Sequence, residues 1–206
     1  GIGELTLIDM DDICVTNINR QLPAMSGTIG KLKTEVMSER VKLINPECTV
    51  NIIDDFISPE NQSDYLNRGY DYVIDAIDNV RTKASLIAYC KRNKINVITI
   101  GGAGGQTDPT QIQIADLSKT IQDPLLAKVR SVLRKDYNFS QNPKRKFSID
   151  AVFSTQPLIF PQMTEGCAIS ATMNCANGFG AATMITATFG FFAVSRVIDK
   201  LLKKKS

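Results

Sequence analysis

LTLIDMDDI, at residues 5–13, is the stretch that decides the fold. An apolar run that ends in a carboxylate is typical of a buried strand of a parallel sheet. The last side chain of such a strand emerges at the carboxyl edge of the sheet, where α/β proteins hold nucleotides. This pattern predicts that Asp9 lies at a nucleotide site, where its carboxylate can bind ribose hydroxyls.

Three polar side chains downstream of this strand suit the phosphates of the same nucleotide. Asn17 supplies a neutral donor, and Arg20 and Lys33 supply two cations. Cationic N–H donors are usual partners of phosphate oxygens. Any one of these residues alone more often marks a solvated loop or a surface ion pair. Their combination after the strand favours a bound triphosphate.

The rest of the sequence alternates predicted strands with predicted helices. The strands are expected at 49–53, 72–76, 96–100 and 111–115, and the helices at 28–44, 60–68, 80–93 and 124–135. Thr28 is expected to cap the first helix. The apolar face of that helix is expected to contain Ile29, Leu32, Val36, Leu43 and Ile44. The alternation predicts an α/β fold, a doubly wound, mostly parallel sheet with helices on both faces.

The segment Asp75-Ala-Ile-Asp-Asn79 closes the strand predicted at 72–76. Asp78 should therefore face the same carboxyl edge of the sheet as Asp9. A carboxylate there can hold Mg²⁺, which keeps several waters and takes its other ligands from phosphates. Asp75, with an apolar residue on each side, fits a structural role instead.

The composition limits the kind of protein and of site. At 206 residues, with 43% hydrophobic and 22% charged residues, the chain suits one soluble α/β domain. Five cysteines form no Cys-x-x-Cys pair and there is no histidine, which nearly excludes a zinc site and any histidine-based triad. An odd number of cysteines without a visible signal peptide indicates the reducing cytoplasm.

Positive charge is concentrated in two segments of a chain whose net charge is +3. Residues 128–146 carry +6 and residues 196–206 carry +4, which leaves −7 for the rest. Basic segments on an otherwise acidic protein favour a polyanionic partner, because each Lys or Arg at a phosphate releases counterions. The alternative is a solubilising helix face with a basic tail.

Two stretches poor in charge have alternative interpretations. The glycines within residues 101–105 allow close approach of backbone to backbone or to a ligand, or a tight turn into the next strand. Residues 166–195 contain no charged side chain. The Asn, Thr and Ser residues among them favour a helix buried in the domain or at a dimer interface. Membrane association of the C-terminal helix is the alternative.

Three motifs together, LTLIDMDDICVTNINRQ at 5–21, GKLK at 30–33 and DAIDN at 75–79, resemble one enzyme family. It is the ThiF, MoeB and HesA family, whose adenylating domain is shared with ubiquitin-activating enzymes. The resemblance implies ATP as substrate, Mg²⁺ as cofactor, and a carboxylate that attacks the α-phosphorus. It also implies that a glycine-rich turn and its strand precede Leu5, upstream of the sequence given.

The resemblance assigns roles to individual residues of this chain. Asp9 would bind the ribose, Asn17, Arg20 and Lys33 the phosphates, and Asp78 the metal. Asp11, Gln21 and Asn79 match neighbouring cofactor-binding positions. Arg20, Lys33 and Asp78 would be catalytic, because such transfers depend on positioning and on neutralised charge.

Residues 101–125 and 177–191 resemble a tRNA-modifying branch of this family. This implies that the activated carboxylate is the threonyl group of a modified adenosine beside the anticodon. The carbamoyl nitrogen would then close a ring and expel AMP, without an enzyme thiol. The alternative is adenylation of the C-terminus of a ubiquitin-like or sulfur-carrier protein. A non-enzymatic ATP sensor is disfavoured by the intact site residues.

The branch also suggests how the chain is organised and what it binds. We expect a single adenylating domain at 1–206, with a nucleotide-binding core at 1–116 and a substrate-side region with the C-terminal helix at 117–206. The resemblance implies a tRNA substrate, a homodimer and an associated sulfur-transfer protein. Compared with the family, the chain is short between Gln162 and Gly178. Cys167 and Cys175 are expected to be buried and inert.

Overall fold

The computed structural model of the chain describes residues 1–160 and 180–204. The strands are β1 (Glu4–Ile8), β2 (Thr49–Ile53), β3 (Val73–Asp75), β4 (Val97–Ile100), β5 (Ile112–Asp116) and β6 (Asp150–Ser154). The helices are α1 (Lys33–Ile44), α2 (Gln62–Leu66), α3 (Val80–Arg92), α4 (Pro124–Asp136) and α5 (Thr183–Lys204).

The strands form a two-stranded and a four-stranded sheet. β1 pairs in parallel with β2. The second sheet has the order β3-β4-β6-β5, in which β3, β4 and β6 are parallel and β5 is antiparallel to β6. Pairing in parallel requires a long crossover, and helices provide these connections. The expectation of a mostly parallel sheet is therefore confirmed.

Helices cover both faces of the four-stranded sheet, as the alternation predicts. Val97 and Phe153 point to a core shared with α3 and α4. Their neighbours Ile98 and Val152 point to the opposite core, where α5 inserts Phe189. Successive strand residues face opposite sides, so each strand has one residue set in each core. The doubly wound α/β fold class is confirmed.

The first helix begins later than the sequence pattern predicts. Thr28 lies in a turn, where its hydroxyl donates to the carbonyl of Pro23 at 2.6 Å, and α1 starts at Lys33. Residues 30–33 instead pair with the segment after β1: the N–H of Ile13 donates to Lys31 at 2.9 Å. Gly30 has a φ of 82°, which is incompatible with a helix. Tertiary pairing therefore overrides the predicted cap.

The predicted apolar face of α1 is also wrong in part. Val36 is buried, with 7% of its surface exposed, but Leu43 is 86% and Ile44 73% exposed. α1 covers a sheet of only two strands, so its last turn has little surface to pack against. The remaining predicted strands and helices are present, with ends within two residues of the prediction.

The region between α4 and the end of β6 differs most from the sequence interpretation. β6 is not among the predicted strands, and the sequence pattern predicts no helix or strand for residues 137–147. Residues 141–146 are exposed, but Phe147 is buried and packs edge-on against Phe139 with ring centroids 4.9 Å apart. Of the two alternatives for residues 101–105, the tight turn into the next strand is not formed, because a longer loop leads to β5.

α5 carries apolar side chains on two opposite faces. Ile185, Phe189 and Ala193 are buried against the sheet, as expected for a helix packed inside the domain. The outward face carries a second apolar set: Met184, Phe191, Val194, Ile198 and Leu202. Among the described residues, no helix has the length and hydropathy of a membrane span.

Candidate functional site

Asp9, Asp11 and Lys33 form one polar cluster at the carboxyl end of β1. The carboxylate of Asp9 accepts a hydrogen bond from the N–H of Asp11 at 2.8 Å. The amino group of Lys33 lies 2.6 Å from the carboxylate of Asp11, with 17% of the lysine side chain exposed. The pairing of residues 30–33 with the segment after β1 brings these groups together.

The loop that follows contains Asn17, Arg20 and Gln21. Asn17 is 7% exposed, and its side-chain oxygen accepts from the N–H of Cys14 at 3.0 Å. The backbone N–H groups of Arg20 and Gln21 both donate to the carbonyl of Asn17. Within residues 1–160 and 180–204, the side-chain amides of Asn17 and Gln21 have donors without partners, which leaves them available to a ligand.

Asp78 and Asn79 lie between β3 and α3. Asn79 caps α3, because its side-chain oxygen accepts from the N–H groups of Arg81 at 3.0 Å and Thr82 at 3.1 Å. Asp78 is exposed, and its carboxylate forms no hydrogen bond or ion pair in the described part of the chain. No such bond joins Asp78 or Asn79 to the Asp9–Lys33 cluster in those residues. The predicted site residues thus follow two different strands, β1 and β3.

A buried ion pair supports the turn that presents Asp78. Lys83 and Asp75 have no exposed side-chain surface, and their charged atoms are 3.0 Å apart. Lys83 also donates to the carbonyl of Ile77 at 2.8 Å, and Asp75 accepts from the hydroxyl of Thr99 at 2.7 Å. The structural role expected for Asp75 agrees with this environment. Lys83 is not among the residues predicted from the sequence, although its place directly before the apolar residues of α3 is a usable signal.

The glycine cluster provides the close backbone approach that its composition allows. A Cβ atom on Gly101 would lie 1.9 Å from the carboxylate of Asp123. That carboxylate accepts from the N–H of Gly102 at 3.0 Å and caps α4 by accepting from Leu126 at 2.9 Å. Burial raises the pKa of Asp123 despite these hydrogen bonds. The cluster thus fixes α4 to the end of β4.

Three of the cysteines lie within the described residues, and they differ in exposure. Cys14 is exposed, and Cys48 and Cys90 are buried. Burial raises the pKa of the Cys90 thiol to about 12, so it stays protonated. Cys167, Cys175 and the short segment between Gln162 and Gly178 lie outside the described residues.

Residues 1–206 match the protein family described as the ThiF family. The chain belongs to the ThiF family. This ThiF chain is 98% identical, over all 206 residues, to a tRNA threonylcarbamoyladenosine dehydratase of Haemophilus influenzae, 79% of which it covers. The crystal structure of the Escherichia coli tRNA N6-threonylcarbamoyladenosine dehydratase in complex with ATP superposes with a TM-score of 0.88. That match has 55% identity and covers 98% of this chain and 77% of the E. coli chain.

Another kind of ThiF relative is similar to only part of the chain. The ThiS sulfur-carrier adenylyltransferase of E. coli is 31% identical over 108 residues, which are 52% of this chain and 43% of that protein. The similarity to the dehydratases therefore extends beyond the nucleotide motifs, whereas the similarity to the sulfur-carrier enzyme does not cover the whole chain.

Proposed function

We propose that this chain is an ATP-dependent tRNA-modifying enzyme. It adenylates the threonyl carboxylate of N6-threonylcarbamoyladenosine in tRNA and promotes the cyclisation, or dehydration, of that group. One observation carries the proposal: the 98% identity to a tRNA threonylcarbamoyladenosine dehydratase over the full chain. Adenylation of a ubiquitin-like or sulfur-carrier protein is supported over only about half of the chain.

The proposed reaction has two steps. The threonyl carboxylate attacks the α-phosphorus of ATP, which forms an acyl-adenylate and releases pyrophosphate. The carbamoyl nitrogen then attacks the activated carbonyl and expels AMP, and a proton leaves the nitrogen. The carboxylate oxygen departs with AMP, so the nucleoside loses the elements of one water. No enzyme thiol takes part in either step.

The polar cluster and the loop that follows it supply most of the groups that bind ATP in the first step. Asp9 accepts hydrogen bonds from the ribose hydroxyls of ATP. The amide of Asn17 and the charges of Arg20 and Lys33 hold the phosphates and neutralise the leaving pyrophosphate. Asp11 keeps the amino group of Lys33 in place, as its 2.6 Å contact supports. Gln21 and Asn79 complete the nucleotide-binding set.

Asp78 suits Mg²⁺ by its chemistry. Its exposed carboxylate lacks a protein partner among the described residues, and no cluster of three or more metal-ligating residues occurs among them. A hard cation with a single protein carboxylate takes its other ligands from phosphate and water. Mg²⁺ held in this way would neutralise phosphate charge. Asp78 itself contributes the carboxylate and its fixed place after β3.

The second half of the chain is proposed to bind the tRNA substrate. We propose that residues 1–116 bind the nucleotide and that 117–206 bind the tRNA, chiefly through the basic segment 128–146. This division is functional and not structural, because β6 pairs between β4 and β5. The outward apolar face of α5 supports the homodimer that the family resemblance implies. A sulfur-transfer partner and a cytoplasmic location complete the proposal.

One assay tests this function directly. The full-length protein is incubated with ATP, Mg²⁺ and tRNA that carries the linear threonylcarbamoyl group. The masses of the tRNA nucleosides are then measured by mass spectrometry. We expect the modified nucleoside to lose the mass of one water while AMP accumulates. An unchanged nucleoside mass, together with pyrophosphate exchange stimulated by a carrier tail ending in Gly-Gly, would favour the alternative.

Arg20→Ala and Lys33→Ala are each expected to lower kcat on the order of a hundredfold and to change the KM for ATP much less. The reason is that their charges act mainly on the pyrophosphate that develops in the transition state. Pyrophosphate release at varied ATP concentration measures both constants. Lys31→Ala is the matched control, because Lys31 is an exposed lysine beside the same helix start. A rise in KM at constant kcat would indicate uniform binding instead.

The basic segment has a separate test in tRNA binding. Lys135, Lys144 and Arg145 are exposed, whereas Arg134 lies over the ring of Phe147 at 5.3 Å and also stabilises the fold. Changing the three exposed residues to Gln should flatten the salt dependence of tRNA binding by about 0.7 to 0.9 log units per lost phosphate contact. ATP affinity should stay unchanged.

The control for this variant is Arg40→Gln with Lys91→Gln, which removes exposed charge outside the segment. Salt titrations of tRNA binding compare the three proteins. Parallel slopes and equal affinities for wild type and the triple variant would show that residues 128–146 are only a solvated face.

A further inference from the structure

The loop with Asn19 and Arg20 is bound to the distant end of the chain. The side-chain amide of Asn19 donates to the carbonyl of Ala181 at 2.8 Å. The carbonyl of Asn19 accepts from both the N–H and the hydroxyl of Thr183, at 3.2 and 3.0 Å. The hydroxyl of Thr186 donates to the carbonyl of Arg20 at 2.6 Å. The first turns of α5 therefore hold these two residues from one side.

The same contacts reach the guanidinium group of Arg20. The side-chain oxygen of Asn19 accepts from Nη1 of Arg20 at 3.2 Å, while its amide nitrogen is bound to Ala181. The carbonyl of Thr16 accepts from the same Nη1 at 2.5 Å. Asn19 is thus a bridge, since one end of its side chain is fixed by the backbone before α5 and the other orients Arg20.

α5 is a rigid support for this purpose. Ile185 and Phe189 are 0% and 1% exposed, and they pack on Ile98 and Val152 of the sheet. By contrast, the backbone hydrogen bonds of Arg20 and Gln21 within the loop are local: their N–H groups donate to Asn17, and the carbonyl of Gln21 accepts from Ala24. A loop of local turns gains a fixed position when it is bound to a packed helix.

We infer that the start of α5, through Thr186 and Asn19, positions the guanidinium of Arg20 for the adenylation step. Thr186 and Asn19 are positioning residues, because they act through Arg20 and not on the reacting atoms. The inference rests on the proposed function, in which Arg20 neutralises the leaving pyrophosphate. A small displacement of such a group lowers the rate strongly, since positioning supplies much of the catalysis.

Thr186→Val removes the hydroxyl with almost no change of shape or helix propensity. We expect kcat for pyrophosphate release to fall about tenfold, with the KM for ATP changed less than about twofold. Thr186→Ser keeps the hydroxyl and should retain the wild-type kcat. Thr188→Val is the matched control, because the hydroxyl of Thr188 only donates to Met184 of its own helix, at 2.7 Å. It should also behave as wild type.

A double-mutant cycle separates positioning from a general structural effect. If Thr186 acts through Arg20, Thr186→Val should cause no further loss in an Arg20→Ala background, whereas independent structural effects would multiply. Multiplying losses, or a wild-type kcat in Thr186→Val while Arg20→Ala is impaired, would overturn the inference and leave the proposed function standing. A wild-type kcat in Arg20→Ala would overturn the role of Arg20 and the inference with it.

Discussion

Replacing Asp78 with alanine is expected to abolish adenylation of tRNA and to leave the fold intact. The carboxylate is exposed and has no protein partner in the described part of the chain, so the folded state does not depend on it. The turn around it is held by other groups, since Lys83 donates to Ile77 and Asn79 caps α3. Loss of the single carboxylate proposed to hold Mg²⁺ would leave the phosphate charge without its cation.

Pyrophosphate release and the melting temperature are the two measurements for this variant. Asp71→Ala is the matched control, because Asp71 is an exposed aspartate just before the same strand. Both variants should melt close to wild type, since changes at exposed sites usually alter stability within about 0.5 kcal/mol. Activity of Asp78→Ala comparable to wild type at saturating Mg²⁺ would show that Asp78 does not hold the catalytic Mg²⁺.

Replacing Lys83 with methionine is expected to lower the free energy of unfolding by about 3–5 kcal/mol. The substitution keeps the length of the side chain but leaves the carboxylate of Asp75 in a fully buried position without its cation. Two carbonyl groups, those of Asp75 and Ile77, also lose their amine donor. Equilibrium unfolding in urea measures the change.

The double variant Asp75→Asn with Lys83→Met tests the cause of that loss. Asparagine is neutral and close in shape to aspartate, so the uncompensated charge disappears and part of the stability should return. Lys91→Met, on the exposed side of α3, should unfold like wild type. A Lys83→Met protein as stable as wild type would show that the pair contributes nothing to the folded state.

Several candidate site residues could be predicted from the sequence because their signals are local. Asp9 ends an apolar strand, and Asp78 follows another, so each position can be derived from its own neighbours. Lys33 and Arg20 were predicted as phosphate ligands on residue type and motif. Their placement in the cluster and the loop is consistent with that prediction, while binding of ATP by these residues stays a proposal.

Other features could not be derived in this way. The start of α1 depends on the pairing of residues 30–33 with the segment after β1, and Thr28 is a residue type that often caps helices but does not cap this one. The strand β6 has its partners on both sides in distant parts of the chain. Lys83 is buried only because α3 lies against the sheet.

The sequence by itself determined the α/β class, the order of most elements and the family, because periodicity and motifs are properties of neighbouring residues. Only the tertiary structure decided which strands pair, which lysine is buried and which distant helix holds Arg20. These outcomes depend on groups brought together from far apart, such as Asn19 and Ala181, which are 162 positions apart. Free energy of burial and of hydrogen bonding selects among such pairings only in the folded chain, and no local pattern contains that choice.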